Sequence, residues 1–187
     1  YINRPENAAK KLPMLEEMLS FADLPAGGKA LEVGCGPGYM SHALFERGFD
    51  VTGTDLDPGE IEFASRGAPA GGPAFLEADA TELPFENARF DLVLSMMVLH
   101  HMRDWRNAIA EAARVLKPGG YFLINEHTYS AFLKVAGRLF LRGHSFFRIE
   151  EVSAELEGQG MQTVWMSPPH RYLYNQFTEY NIVYRRS

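Results

Sequence analysis

Two stretches of the chain carry residue types whose spacing could do chemistry. The first is Leu31-Glu32-Val33-Gly34-Cys35-Gly36-Pro37-Gly38, where three glycines alternate over five residues directly after an apolar run. Glycine reaches left-handed backbone angles and lets a ligand approach the main chain closely, so such a turn can cradle a small polar molecule. The second is Ser95-Met96-Met97-Val98-Leu99-His100-His101-Met102, which places two adjacent imidazoles after an apolar run. Imidazole titrates near neutrality and can take a proton from an attacking oxygen or nitrogen. Between these stretches, Asp55 and Asp79 each stand just after a short strand-like segment, where a carboxylate can accept hydrogen bonds from ligand hydroxyl or amino groups. Each feature also has a plainer reading. The glycine turn could hold no ligand, Asp55 could cap a turn, Asp79 could be a surface residue, and the histidines could cap and pack.

These residues must be positioned by elements that the hydrophobic pattern indicates. Hydrophobic runs alternate with helical patterns, the signature of an α/β sheet. An amphipathic helix covers 6–21, within an N-terminal helical segment at 1–28. A short buried strand, Lys29–Val33, runs into the glycine loop, and a helix at 39–47 ends at Gly48. Strand two is Phe49–Thr54, with Asp57 before Pro58 well suited to cap the next helix. Further strands are expected at Ala74–Glu77, Phe90–Ser95, Tyr121–Asn125, Met161–Ser167 and Phe177–Arg185. Helices are expected from Asp104 to Leu116 and at 149–158. Asp91 reads as a structural residue closing the turn before strand four, and Lys117-Pro118-Gly119-Gly120 as the turn into strand five.

Composition sets outer bounds. With 187 residues, 46% hydrophobic and 22% charged, the chain suits a single domain spanning 1–187 with a real core. A net charge of -6 argues against nucleic acid as a partner. The single cysteine, Cys35, excludes an intramolecular disulfide and a thiolate metal cluster, which suits a reducing, cytoplasmic setting. No signal-like leader is evident, and no apolar run reaches the roughly 20 residues of a membrane span. The chain begins at Tyr1 rather than Met, as a trimmed N-terminus would.

The spacing Gly34-x-Gly36-x-Gly38 is one residue short of the dinucleotide fingerprint, with Pro37 inserted and Glu32 two residues before the first glycine. It resembles motif I of the class I S-adenosylmethionine (SAM)-dependent methyltransferases, the broad group that includes ubiquinone and menaquinone biosynthesis enzymes. Glu77-Ala78-Asp79-Ala80, Leu83-Pro84-Phe85, Phe90-Asp91-Leu92-Val93 and Leu116-Lys117-Pro118-Gly119-Gly120 are similar to that family's later motifs. The resemblance implies a Rossmann-like α/β fold. Its seven-stranded mixed sheet would have the order 3-2-1-4-5-7-6, with the last strand antiparallel and helices on both faces.

The same resemblance implies site roles. Gly34, Cys35, Gly36 and Gly38 would pass beneath the methionine part of SAM, with Glu32 supporting the loop and the ammonium. Asp55 would take both ribose hydroxyls and Leu56 would pack on adenine. Asp79 would accept the adenine amino group while the Ala80 N–H meets the ring nitrogen. The backbone at Ser95 and Met96 would hold the methionine end. His101 and His100 are the candidates for a general base.

The expected activity is methyl transfer to an O, N or C atom of a small apolar or aromatic molecule, yielding S-adenosylhomocysteine, with no metal. His127, His144 and His170 read as isolated surface or loop residues. Two rivals stand beside this reading: an inactive SAM-binding or partner-binding domain, and an NAD(P)-dependent oxidoreductase. The short glycine spacing and the lack of a Tyr-x-x-x-Lys relay weigh against the oxidoreductase. The insert at 127–147 has apolar residues at helical spacing over 129–141. It reads either as a lid helix over the acceptor or as an amphipathic helix packed on the sheet. Neither the acceptor nor the oligomeric state follows from these residues.

Overall fold

The computed structural model describes residues 5–129, 145–173 and 177–187. Residues 130–142 of the expected lid helix, and His144, lie outside them.

The chain opens with α1 (Pro5–Leu19), β1 (Lys29–Val33), α2 (Tyr39–Glu46), β2 (Asp50–Asp55), α3 (Pro58–Gly67) and β3 (Ala74–Glu77). It continues with β4 (Phe90–Met96), a 3-10 turn (Leu99–His101), α4 (Trp105–Val115) and β5 (Leu116–Tyr129). After residue 145 come α5 (Ile149–Gly158), β6 (Met161–Met166), β7 (His170–Tyr172) and β8 (Phe177–Arg186). The strands form one sheet in the order β3-β2-β1-β4-β5-β8-β6, with β7 also paired to β8. β1 to β5 pair in parallel, whereas β8 runs antiparallel between β5 and β6. This is the order and the antiparallel last strand expected from the sequence. Between the two strands expected at Met161–Ser167 and Phe177–Arg185 the chain adds the short β7, which continues beyond β6 along the same edge of β8.

The alternation of side chains along the central strands divides the core into two layers. Leu92 and Leu94 of β4 and Leu123 of β5 pack with Leu15 and Met18 of α1 and Leu44 of α2. Val93, Phe122 and Ile124 face the other way, toward Ile109 of α4 and Val152 and Leu156 of α5. Burial on both faces is why β4 and β5 read as nearly continuous apolar runs. Local signals fix the helix starts: Asp57 accepts from the Gly59 N–H at 2.8 Å, and Asp104 accepts from Asn107 N–H at 3.4 Å. Asp91 accepts from the Lys29 N–H at 2.8 Å and from Lys117 Nζ at 2.8 Å, tying together the starts of β1, β4 and β5.

One element exceeds its expected bounds in a way that matters. Strand five was expected to stop at Asn125, yet β5 continues to Tyr129 because β8 pairs with it as far as Tyr129↔Phe177. That extension carries Glu126 and His127 past the end of β4, whose last residue, Met96, pairs with Asn125. No helix among the described residues is long and apolar enough to cross a membrane.

Candidate active site

In a parallel sheet, ligands bind beyond the carboxyl ends of the strands, and the strand tips here surround a cavity of about 1220 Å³. The β1 tip supplies the glycine loop, whose Gly34, Gly36 and Gly38 all have positive φ (67°, 48° and 80°). A Cβ on Gly34 would stand 2.4 Å from Val98 Cγ1, so the loop lies flat against the turn after β4. The loop is pinned from β2. The Cys35 N–H donates to the Thr54 carbonyl and the Gly36 N–H to Asp55 Oδ2, both at 2.8 Å. The other Asp55 oxygen accepts the Asp57 N–H at 3.0 Å.

Of the residues expected at the site, Glu32, Gly34, Cys35, Gly36, Asp55, Leu56, Asp79, Ala80, Met96, His100 and His101 all line this cavity. Gly38 and Ser95 do not. Gly38 caps the start of α2 from the left-handed region, and Ser95 is buried in the sheet with its hydroxyl lacking a hydrogen-bond partner. Burial pushes the Cys35 thiol well up, so it stays protonated and is no nucleophile.

The acids along the wall differ in character. Glu32 is 2% exposed and accepts from Ser41 Oγ at 2.5 Å. Burial pushes its carboxyl up to about 8, outweighing the Ser41 hydrogen bonds that act the other way. Asp79 accepts both the Thr81 N–H and the Thr81 hydroxyl on Oδ1, at 2.8 and 2.7 Å. Those bonds hold it below the usual carboxylate range and leave Oδ2 for a ligand. Leu56 is 65% exposed, an apolar side chain held at the cavity rim.

The far end of the cavity departs most from expectation. His127 does not stand isolated at the surface: it is 9% exposed, and its ring centroid is 4.1 Å from that of His100. The His100 ring lies 4.0 Å from His101 on its other side. Glu126, 1% exposed, takes His100 Nδ1 at 2.6 Å and the His127 N–H at 2.9 Å, both on Oε1. His100, Glu126 and His127 therefore form a His/Glu cluster whose ligand-type atoms lie within 4.8 Å of one another, where no such cluster was expected. Burial first, and the closeness of the His100 imidazole second, push His127 down to about 4, so its ring is neutral. Its Nε2 lies 2.9 Å from the Tyr129 hydroxyl and its Nδ1 lacks a partner. His170 also lines the cavity, from β7. Met97, at φ 61°, is a non-glycine residue in the left-handed region and bends the chain out of β4 toward the histidines.

A third group closes the wall from α1. Lys11 donates to Asn125 Oδ1 at 3.1 Å and is ion-paired with Glu179, while Asn125 Nδ2 donates to Glu179 at 2.7 Å. Burial raises the Glu179 carboxyl, but the Lys11 and Asn125 hydrogen bonds outweigh it and hold the group below its ordinary value. Lys11, Asn125, Glu126, His127 and Glu179 went unrecognised from sequence. One signal was there to be read: Asn125-Glu126-His127-Thr128 is a polar run at the carboxyl end of an otherwise apolar central strand.

The sheet order, the glycine loop at the β1 tip and the acids at the β2 and β3 tips define the SAM-dependent methyltransferase class of Rossmann-like folds. Residues 31–124 match the family described as "Methyltransferase domain", and the chain belongs to that family. Among characterised relatives, a fatty-acid O-methyltransferase of Mycolicibacterium smegmatis is 38% identical over 104 residues, which cover 54% of this chain and 37% of that protein. A malonyl-[acyl-carrier protein] O-methyltransferase of Serratia marcescens is 34% identical over 118 residues, covering 63% of this chain and 46% of that protein. The matched part thus spans less than half the length of either relative. A SAM-dependent methyltransferase structure from Methanosarcina mazei superposes with a TM-score of 0.74 at 22% identity, covering 93% of this chain and 97% of that one, a likeness of fold alone.

Proposed function

We propose that the chain transfers the methyl group of SAM to an oxygen of a small molecule with a substantial apolar part. The observation that carries this reading is the shared wall. Glu32, Asp55 and Asp79 line one part of the same cavity whose other part is lined by His100, His101 and His127. A cavity of about 1220 Å³ has room for a nucleoside cofactor with an acceptor beside it. The wall residues suit SAM chemically. The buried acid Glu32 matches an α-ammonium, each Asp55 oxygen keeps capacity for a ribose hydroxyl beyond its one backbone N–H, and Asp79 Oδ2 suits the adenine amino group. When bound there, SAM supplies an electrophilic methyl on a sulfonium, and the task left to the chain is alignment and exclusion of water. The two O-methyltransferase relatives favour oxygen over nitrogen or carbon as the methylated atom.

Calorimetric titration of the chain with SAM, S-adenosylhomocysteine and NAD tests the reading. Binding of the two adenosyl compounds and not NAD is expected, weakened about tenfold or more in Asp55→Ala, where charge-assisted hydrogen bonds are lost. NAD binding with no adenosyl binding would overturn it.

A further inference from the structure

We propose that Glu126 is a positioning residue that acts through His100, fixing Nδ1–H so that Nε2 takes the proton of an acceptor hydroxyl, and that the site therefore serves alcohols or phenols rather than carboxylic acids. This rests on the methyl-transfer reading of the same cavity and goes further by naming the acceptor class.

The argument starts from the alternation of β5. Asn125 and His127 line the cavity and Glu126 between them does not, as expected of neighbours on a strand. Glu126 is thus placed behind the cavity wall with 1% exposure, and His100, which does line the cavity, stands between the carboxylate and the ligand space. Two backbone N–H groups donate to that carboxylate, of His127 at 2.9 Å and of His100 at 3.4 Å, and an ionised carboxylate, which can only accept, makes His100 Nδ1, 2.6 Å away, the donor of that pair. An imidazole that donates from Nδ1 carries its lone pair on Nε2, and the ring edge turned away from Glu126 is the one left to the cavity. An acid behind, an imidazole between and a hydroxyl in front form the arrangement by which a buried carboxylate selects the tautomer of a general base and stabilises its imidazolium.

The step balances. The acceptor oxygen bonds to the methyl carbon as the carbon–sulfur bond breaks and its electron pair returns to sulfur. The hydroxyl proton passes to His100 Nε2, and the imidazolium so formed sits against Glu126. A carboxylic acid acceptor is already anionic near neutrality and has no need of this base. Directly at His100 the nearest formal charge is the Glu126 carboxylate behind it, whereas Lys10 and Lys11 line the cavity from α1. His127 is neutral, and Glu179 is already paired with Lys11. The same three residues could be read as a cation site, but Glu126 Oε1 already accepts the His127 N–H at 2.9 Å and stands 2.6 Å from His100 Nδ1.

The test has an arm that needs neither cofactor nor acceptor. Long-range ¹⁵N–¹H NMR of the ligand-free chain is expected to show His100 as the Nδ1–H tautomer, and Glu126→Gln to abolish that preference. An Nε2–H tautomer in the unmodified chain, or one unchanged in the variant, overturns the proposal. The second arm supplies SAM with matched probe acceptors, dodecanol against dodecanoic acid and phenol against benzoic acid. Methylation of the hydroxyl member is expected, with kcat falling about a hundredfold or more in Glu126→Gln. KM and S-adenosylhomocysteine affinity should stay within about threefold, and Glu126→Asp should recover much of the rate, a pattern that mere structural damage would not give. Methylation of the acids with the hydroxyls inert overturns the proposal. So does activity abolished by EDTA and restored by a divalent cation. Where none of the four probes reacts, the tautomer decides. Failure of S-adenosylhomocysteine to bind would remove the methyl-transfer reading instead and leave the tautomer result standing.

Discussion

The two ends of the cavity are built differently. At the glycine-loop end, the main partners are close in sequence or on adjacent strands. The loop at residues 34–38 is pinned by the β2 tip, and Asp79 is held by Thr81 two residues on. At the histidine end, the contacts that assemble the cluster join distant residues. His100 meets Glu126 across a separation of 26, Asn125 meets Glu179 across 54, and Lys11 meets Glu179 across 168. The first end is a local motif set on a strand tip, and the second exists only because the long β5 pairs with β4 on one side and β8 on the other. The lesson is one of division. A local loop can recur wherever a common ligand must be held, while an assembly of distant side chains can vary with the acceptor without disturbing that loop.

The sharpest way to break this comparison is at the glycine loop. Gly34→Ala would set a Cβ at φ 67° and 2.4 Å from Val98 Cγ1. It is expected to cost about 2–4 kcal/mol of stability and to abolish adenosyl-ligand binding. Denaturant unfolding together with calorimetry checks both. A variant that folds and binds normally would show that the loop is not pressed against the turn after β4.

The two ends should also carry opposite pH signatures. Glu32 is raised in the folded state to about 8 from its ordinary 4.5. The native state thus binds more protons than the unfolded state between those values, and stability falls as pH rises through that window. His127 is lowered to about 4 from 6.5, so its contribution is present above 6.5 and is lost as pH falls toward 4. Each effect amounts to about 1–4 kcal/mol at most. Glu32→Gln should flatten the first slope alone, and His127→Phe should flatten the second alone, as read from unfolding midpoints across pH. On the proposed reading S-adenosylhomocysteine would bring an ammonium toward Glu32, so its binding near pH 7 should release up to about one proton. Titrations in buffers of different ionisation heat would detect it.

A smaller effect is expected at the rim. Leu56 is 65% exposed, so Leu56→Ala should change stability by less than about 0.5 kcal/mol while weakening adenosyl-ligand binding several-fold through lost contact with the base. Equal loss of both would mean that Leu56 packs on the chain and not on a ligand.

Much of the fold was legible because its signals are local. The apolar run Leu92–Leu94, the glycines after Val33, Asp57 before Pro58 and Asp104 before α4 each act over a few residues, and each lies where the pattern placed it. The β5 extension was not legible, since Thr128 and Tyr129 become strand only through their partners Thr178 and Phe177. The glycine-loop site shares the first character, and all but Gly38 and Ser95 of its expected residues line one cavity. His127 shows the second. Read along the chain it is one histidine in a polar run, and only the pairing of β4 with β5 brings its ring beside His100.

By itself, then, the sequence determined the order of elements, the glycine loop that lines the cavity and the acids around it, because backbone angles, caps and side-chain period are properties of neighbouring residues. Tertiary structure alone decided the other half of the cavity. There, strand pairing buries Glu126 behind His100, sets a neutral His127 beside it and draws Lys11 from α1 onto Glu179. Burial and cross-strand contact are set by the packed sheet, and no short stretch of residues encodes them.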